Sequence, residues 1–161
     1  MRKKGFGIPA LCLALLAAGC AAREKPVGPS FEDSRPTGKR PDAAVVYVVR
    51  YYAEPPNLHA TILVNGKEVV DLSQRGFTWF YLPPGRHEIR AEWLITEQTP
   101  AQIGLEVVGG STYYLDLVGT SRVTGNGIIR GSQFQVLAPY DGEARASRCG
   151  FQKPGSSTPA S

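Results

Sequence analysis

Beyond position 20 this chain holds a single cysteine, Cys149. No intramolecular disulfide is available to that part of the molecule, so its stability has to come from an apolar core. Cys149 is then either an inert buried thiol or a free one able to pair with another chain. Histidine is almost as scarce, with His59 and His87 the whole complement. Neither stands at a paired-ligand spacing, so no metal is expected, and His87 is expected to make a structural hydrogen bond. Positive charge is also thinner than it first looks. The full sequence carries +4, but Arg2, Lys3 and Lys4 sit in a leading segment, and setting them aside leaves 15 Lys and Arg against 14 Asp and Glu. The one loose basic group is Arg35, Lys39 and Arg40, so a nucleic-acid partner is not expected. No Gly-x-Ser-x-Gly elbow occurs, which removes the commonest sequence sign of a serine nucleophile. Gly125-Asn-Gly127-Ile-Ile-Arg-Gly131 has the wrong spacing for a dinucleotide loop and leads into a strand pattern, not a helix. Glu88, Glu92 and Glu106 are the carboxylates that a fold could pair, but their positions predict solvated strand faces. The chain is therefore expected to be no enzyme.

What is present begins at the N-terminus. Arg2, Lys3 and Lys4 precede a mostly apolar run from about Phe6 to Ala18, which is shorter than the roughly 20 residues a spanning helix needs. Small residues then lead to Cys20, and residues 1–19 read as a cleaved secretory signal. Ala17-Ala18-Gly19-Cys20 resembles the bacterial lipobox, with Ala17 where Leu is usual and Leu16 one place earlier. The resemblance implies a diacylglycerol on the Cys20 thiol and an acyl chain on the new N-terminus, with no other cofactor. Two or more chains make an anchor stable, where one binds only marginally. The alternative is an ordinary signal with a chance cysteine. Ala21, which is not Asp, implies by the same resemblance an outer-membrane protein facing the periplasm, ahead of the inner membrane or the cell surface.

Residues 20–42 combine Pro26, Pro29, Pro36 and Pro41 with Gly28, Gly38 and charges, and are expected to be a tether. Fully extended, such a stretch reaches on the order of 70 Å, and as a coil about 25–30 Å. A domain follows over 43–149, and 150–161 reads as a disordered tail. Val45 to Tyr52 is β-branched and aromatic on both faces, as a central strand is. His59–Val64 and Lys67–Leu72 flank Asn65-Gly66, the strongest short hairpin signal. Phe77–Leu82 ends at Pro83-Pro84-Gly85, where Pro and Gly suit a type II turn. His87, Ile89, Ala91, Trp93 and Ile95 then alternate with Glu88, Arg90 and Glu92, which predicts a half-buried strand. Gln102–Val108 and Thr112–Val118 flank Gly109-Gly110 as a further hairpin, and Ile128–Leu137 makes another strand. Asp141–Cys149 is expected to be a short helix with Asp141 as its N-cap and Arg145 and Arg148 near its end. This pattern predicts an all-β fold, an immunoglobulin-like β-sandwich of about seven or eight strands with a short C-terminal helix; a small barrel is the alternative.

Leu63-Val-Asn-Gly-Lys67, Phe80-Tyr-Leu-Pro-Pro-Gly-Arg-His-Glu-Ile89 and Gly110-Ser-Thr-Tyr-Tyr-Leu115 carry a family likeness. In this order they resemble the small all-β lipoprotein module known as domain of unknown function 2846. The Pro-Pro-Gly-x-His turn is also similar to that of sandwich modules with a Pro-Glu-Gly-Ala-like turn. The likeness covers about residues 44–148. It implies a small sandwich on a lipid anchor and no enzymatic activity.

Two features are candidates for binding a partner. Phe77, Trp79 and Tyr81 share one strand face, with Phe80 and Leu82 on the other; either the aromatic row is an open platform for a glycan or protein, or both faces are covered. The stretch Thr120–Gly127 is polar, Gly-rich and longer than a usual hairpin connection, and there Arg122 and Asn126 are the candidate contacts. The expected partners are thus the membrane, through the lipid, and an envelope protein or a glycan such as peptidoglycan.

Overall fold

The fold is known from a computed structural model that describes residues 26–38, 40–94, 99–125 and 127–155. The expected signal, Cys20, Lys39, Ile95, Asn126 and residues 156–161 lie outside the described residues.

The apolar run after Ala43 forms β1 (Ala44–Arg50), and it lies in the middle of a sheet, as its two-faced apolar pattern predicts. Asn65 and Gly66 take φ of 50° and 77°, the positive values a tight hairpin turn needs, and join β2 (Ala60–Val64) to β3 (Lys67–Leu72). β4 (Gly76–Leu82) pairs antiparallel with β1 and ends at Pro83-Pro84, after which Gly85, at φ 126°, opens β5 (Gly85–Glu92). His87, Ile89, Ala91 and Trp93 are buried as the alternation predicts. β6 (Ala101–Val107) completes a four-stranded sheet of order β3-β2-β5-β6.

Gly109-Gly110 does not make the expected hairpin. The chain crosses there to the other sheet, where β7 (Thr112–Thr124) runs parallel to β1. Two things direct the crossing. Gly109 passes so close to the carbonyl of Pro41 that a Cβ would stand 2.5 Å from its oxygen, and Gly110 donates to the Ala43 carbonyl at 3.0 Å. Leu115 and Leu117 can then face the core opposite Leu105 and Val107. β8 (Gly127–Leu137) pairs antiparallel with the full length of β7, and β9 (Gly150–Phe151) runs parallel to β4. The second sheet is β8-β7-β1-β4-β9, so the described residues form an all-β sandwich of nine strands with one short helix.

That helix, α1 (Pro139–Ala146), begins earlier than its sequence suggests. Ala138 is the N-cap, and Asp141 lies in the first turn, making no cap hydrogen bond. Pro139 at the first helical position has its φ preset and no N–H to leave unpaired, so it starts the helix unaided. Arg145 does lie in the last turn; Arg148 falls beyond it.

The main core lies between the sheets, built from Val46, Val48, Ile62, Val64, Phe80, Leu82, Ile89, Leu115, Leu117 and their neighbours. A second core covers the outer face of the five-stranded sheet: Tyr47, Val49, Phe77 and Tyr114 pack under Ala146, Cys149 and Phe31. Phe31 belongs to the stretch expected to be a tether. It is 2% exposed, with its ring centroid 5.6 Å from those of both Tyr47 and Phe77. The expected tether thus folds onto the sandwich over much of its length, because the aromatic row offers Phe31 a site that water does not. The described part of the expected tail, residues 150–155, likewise packs on the sandwich. Gln152 bonds Ser73 through its side chain, and Gly155 donates to the Val69 carbonyl at 2.7 Å.

Candidate functional site

The aromatic row of β4 is roofed. Phe77 is fully buried. Trp79 donates from Nε1 to the Ser34 carbonyl at 2.5 Å and stacks on Phe151 at 6.0 Å. Tyr81 packs edge-on to Trp79 at 5.7 Å, with the Arg40 guanidinium 4.6 Å over its ring. Phe77, Trp79 and Tyr81 are therefore the seat of the chain's own N-terminal and C-terminal segments; of the two alternatives the sequence left, the structure has Phe77 covered and Trp79 and Tyr81 half-buried. A strand pattern cannot report that covering, since the covering residues lie in a Pro-rich stretch with no period of its own.

The Thr120–Gly127 stretch is not a loop. β7 and β8 stay in register to their ends, Thr120 opposite Gly131, Arg122 opposite Ile129, Val123 opposite Ile128 and Thr124 opposite Gly127. Val123 and Ile128 are the β-branched pair directly across this part of the ladder, and Thr120, Thr124 and Ile129 add β-branched residues whose partners are glycine or arginine. Leu117 and Phe134, paired, are the last rung with both side chains buried. Gly119 still touches the backbone of Glu54, and Thr99 bridges Gly131. Beyond that the hairpin stands away from the sandwich as an arm. Its apolar side chains are open to water: Val123 is 81% exposed, Ile128 62% and Ile129 58%. Val123 and Ile128 share a face with Arg130, and Ile129 shares the other with Arg122. Of the candidate residues Arg122 is thus on the arm, and Asn126 lies outside the described residues. The signal that sequence offered for the arm was Val123 and Ile128-Ile129 around the Gly-rich turn.

The other candidate chemistry is structural. His87 accepts from Asn65 Nδ2 at Nδ1 (2.9 Å) and donates from Nε2 to the Pro83 carbonyl (2.9 Å), in the neutral tautomer these partners select. It ties the Asn-Gly turn to the Pro-Pro turn. Glu88, Glu92 and Glu106 lie on strands of the four-stranded sheet; Glu88 accepts from Gln102 at 2.7 Å and Glu92 meets Arg90 at 2.8 Å. Among the described residues no three His, Cys, Asp or Glu side chains come together as a metal site would require. Cys149 is buried, and burial pushes its thiol up to about 12, with the nearby Asp116 charge acting the same way. It is an inert core thiol. A depression of about 380 Å³ lies between the N-terminal segment and the five-stranded sheet, lined by Arg35, Arg40, Tyr47, Tyr114 and Glu143 among others. Its cations are already engaged, Arg35 by Glu32 and Glu143, Arg40 by Tyr81.

Two buried charges were not visible in the sequence. Arg50, at the end of β1, is fully buried and donates to four carbonyls: Leu58 (2.5 Å), Leu72 (2.8 Å), Ala53 (3.1 Å) and Pro55 (2.6 Å). Desolvation lowers its pKa to about 10, so it stays charged at neutral pH. Asp116, 1% exposed, faces Arg145 Nε at 3.4 Å, and burial raises its pKa to about 6. Among the described residues no helix is long and apolar enough to cross a membrane.

No protein-family model matches the chain, and no curated protein or solved structure does.

Proposed function

We propose that this chain is a lipid-anchored protein of the bacterial envelope, held at Cys20 in the outer membrane and facing the periplasm. Its β-sandwich is a non-enzymatic interaction module, and its contact surface is the β7–β8 arm. The observation that supports this is the exposure of Val123, Ile128 and Ile129 on a hairpin that has left the core. Val123 and Ile128 pair on one face of the tip with Ile129 on the other, and a cluster of exposed apolar side chains is a mark of an interaction site. Phe77 is buried, and Trp79 and Tyr81 are half-covered by the chain's own segments, which favours the arm over the aromatic row as the contact surface.

A photo-crosslinking residue at Val123 in intact envelopes tests the contact surface, with the same residue at Glu106, on an exposed position of β6, as the control. A product that forms at 123 and not at 106 is expected; equal or absent capture at both counts against the arm. The anchor is tested separately. Cys20→Ser is expected to move the protein from the membrane to the soluble fraction with its thermal midpoint unchanged.

A further inference from the structure

Several distances read from register bring the arm and the anchor together. β1 and β7 run parallel, with Val49 level with Asp116, so Arg50 is level with Leu117. Arg50 lies opposite Gly76, and Gly76 opposite Gly150. The carbonyl of Val27 lies against Gly150. Val27, nearly the first described residue, therefore sits at the end of the sandwich from which the arm projects. From the level of Leu117 to Thr124 the arm runs seven residues, about 24 Å at the rise of a strand. From Cys20 to Val27 there are also seven residues, which span at most about 25 Å. A Cys20 anchored in lipid is thus on a leash whose greatest reach about equals the arm.

The surface at that end suits a bilayer interface. Of the nine large apolar side chains exposed among the described residues, six belong to it: Val27, Tyr52, Leu94, Val123, Ile128 and Ile129. The other three are Val108, Val136 and Tyr140. From Leu117 to Tyr140 the chain carries Arg122 and Arg130 and no Asp or Glu. Both arginines have stems that can lie along apolar surface while the guanidinium stays at headgroup level. The carboxylates of Glu54, Asp71 and Glu92, at the same end, lie at the level of the sandwich and are set back from the tip by most of the arm, beyond the roughly 8 Å over which charge is felt at physiological salt.

We propose that the tip of the β7–β8 arm rests in the headgroup layer of the membrane that holds Cys20, with Val123, Ile128 and Ile129 at the acyl boundary and Arg122 and Arg130 on anionic lipid phosphates. This rests on the anchor reading above and names the partner of the arm. The arm is then a second foot: acyl chains fix the position, and the arm fixes the orientation, with the opposite end of the sandwich directed away from the membrane.

The test uses the full acylated protein in vesicles of phosphatidylcholine and phosphatidylglycerol. An environment-sensitive fluorophore is placed at Val123→Cys, at Ile129→Cys or at the control Glu106→Cys, with Cys149 protected by burial. Quenching by lipids carrying a headgroup nitroxide is expected to be several-fold stronger at 123 and 129 than at 106. Equal quenching at the three positions, in protein that floats with the vesicles, overturns the inference and leaves the anchor standing. Capture of a protein and no lipid by a photo-crosslinker at 123 does the same. Arg122→Gln with Arg130→Gln is expected to weaken tip contact on anionic vesicles about fivefold per arginine, and no change would overturn the assignment of an anionic surface. Mass analysis of the Cys20 peptide reads the anchor by itself; absence of acyl chains overturns both proposals.

Discussion

A buried guanidinium with four carbonyl partners is the most consequential single residue of this domain. Arg50 gathers Ala53, Pro55 and Leu58 of the connection after β1 and reaches Leu72 of the facing sheet. Removing it takes a charged donor from all four carbonyls, of which those of Ala53 and Leu72 lie in fully buried contacts. Arg50→Ala is expected to destabilise the domain by about 3–5 kcal/mol, read as a fall in urea midpoint. Asp116 works in the opposite sense. In the unfolded chain its carboxyl titrates at the usual 3.8, and in the folded one at about 6. Between those values the folded state keeps a proton that the unfolded state has lost, so stability falls as pH rises from 4 to 6 and the penalty is complete above that. Its full size is on the order of 3 kcal/mol. Asp116→Asn is expected to flatten the decline in thermal midpoint between pH 4 and 6.5. A mutant that keeps the wild-type slope would show that another group titrates.

At the scale of elements, α1 is held by contact and not by propensity. Its Gly142 lies flat on the ring of Tyr114, so that any Cβ there would overlap the ring. Tyr114 cannot yield, because it stacks at 4.7 Å on Tyr47. Gly142→Ala would raise helix propensity in isolation by up to about 1 kcal/mol. Here it is expected to destabilise by about 1–3 kcal/mol through overpacking, with loss of protection at Cys149, which becomes reactive to a thiol reagent. The arm is the converse case. Its strands pair well, but past Thr120 and Gly131 their apolar side chains are exposed among the described residues, so its stability is local. Shortening it by joining Thr120 to Gly131 through Asn-Gly is expected to leave the unfolding free energy of the sandwich within about 1 kcal/mol of the intact chain's, read by urea titration.

At the scale of the whole molecule, the domain is larger than its strand pattern. The five-stranded sheet is covered on both faces, and one cover is made of segments from the two ends of the chain. Phe151 donates from its N–H to the Pro29 carbonyl at 2.8 Å, and Arg35 reaches Glu143 of α1 at 3.2 Å. The exposed ion pair adds little; the buried ring of Phe31 adds more. Phe31→Ala is expected to cost about 3 kcal/mol and to open Trp79, which a red shift of its fluorescence would report. A mutant with unchanged stability and emission would show that the N-terminal segment is not a cover. With the proposed anchor at Cys20, the docking of that segment shortens the free stretch from the 22 residues that follow Cys20 up to Asp42 to the seven that reach Val27.

What the sequence determined by itself was local. Period-two alternation from His87 to Trp93, the Asn65-Gly66 turn and the β-branched run of β1 each specify a strand or a turn through neighbours a few residues apart, and those elements stand where they were expected. The sandwich follows from them, since half-apolar strands must bury one face against another sheet. Tertiary structure decided everything that depends on a distant partner. It sent Gly109-Gly110 across to the other sheet and not into a hairpin, placed Arg50 and Asp116 in the interior, and laid Phe31 on an aromatic row whose covering the sequence left undecided. It also drew the polar Thr120–Gly127 stretch into an arm. Alternation says that a face is apolar; only the packing of remote segments decides what covers it, because burial is a property of the pair and not of either strand.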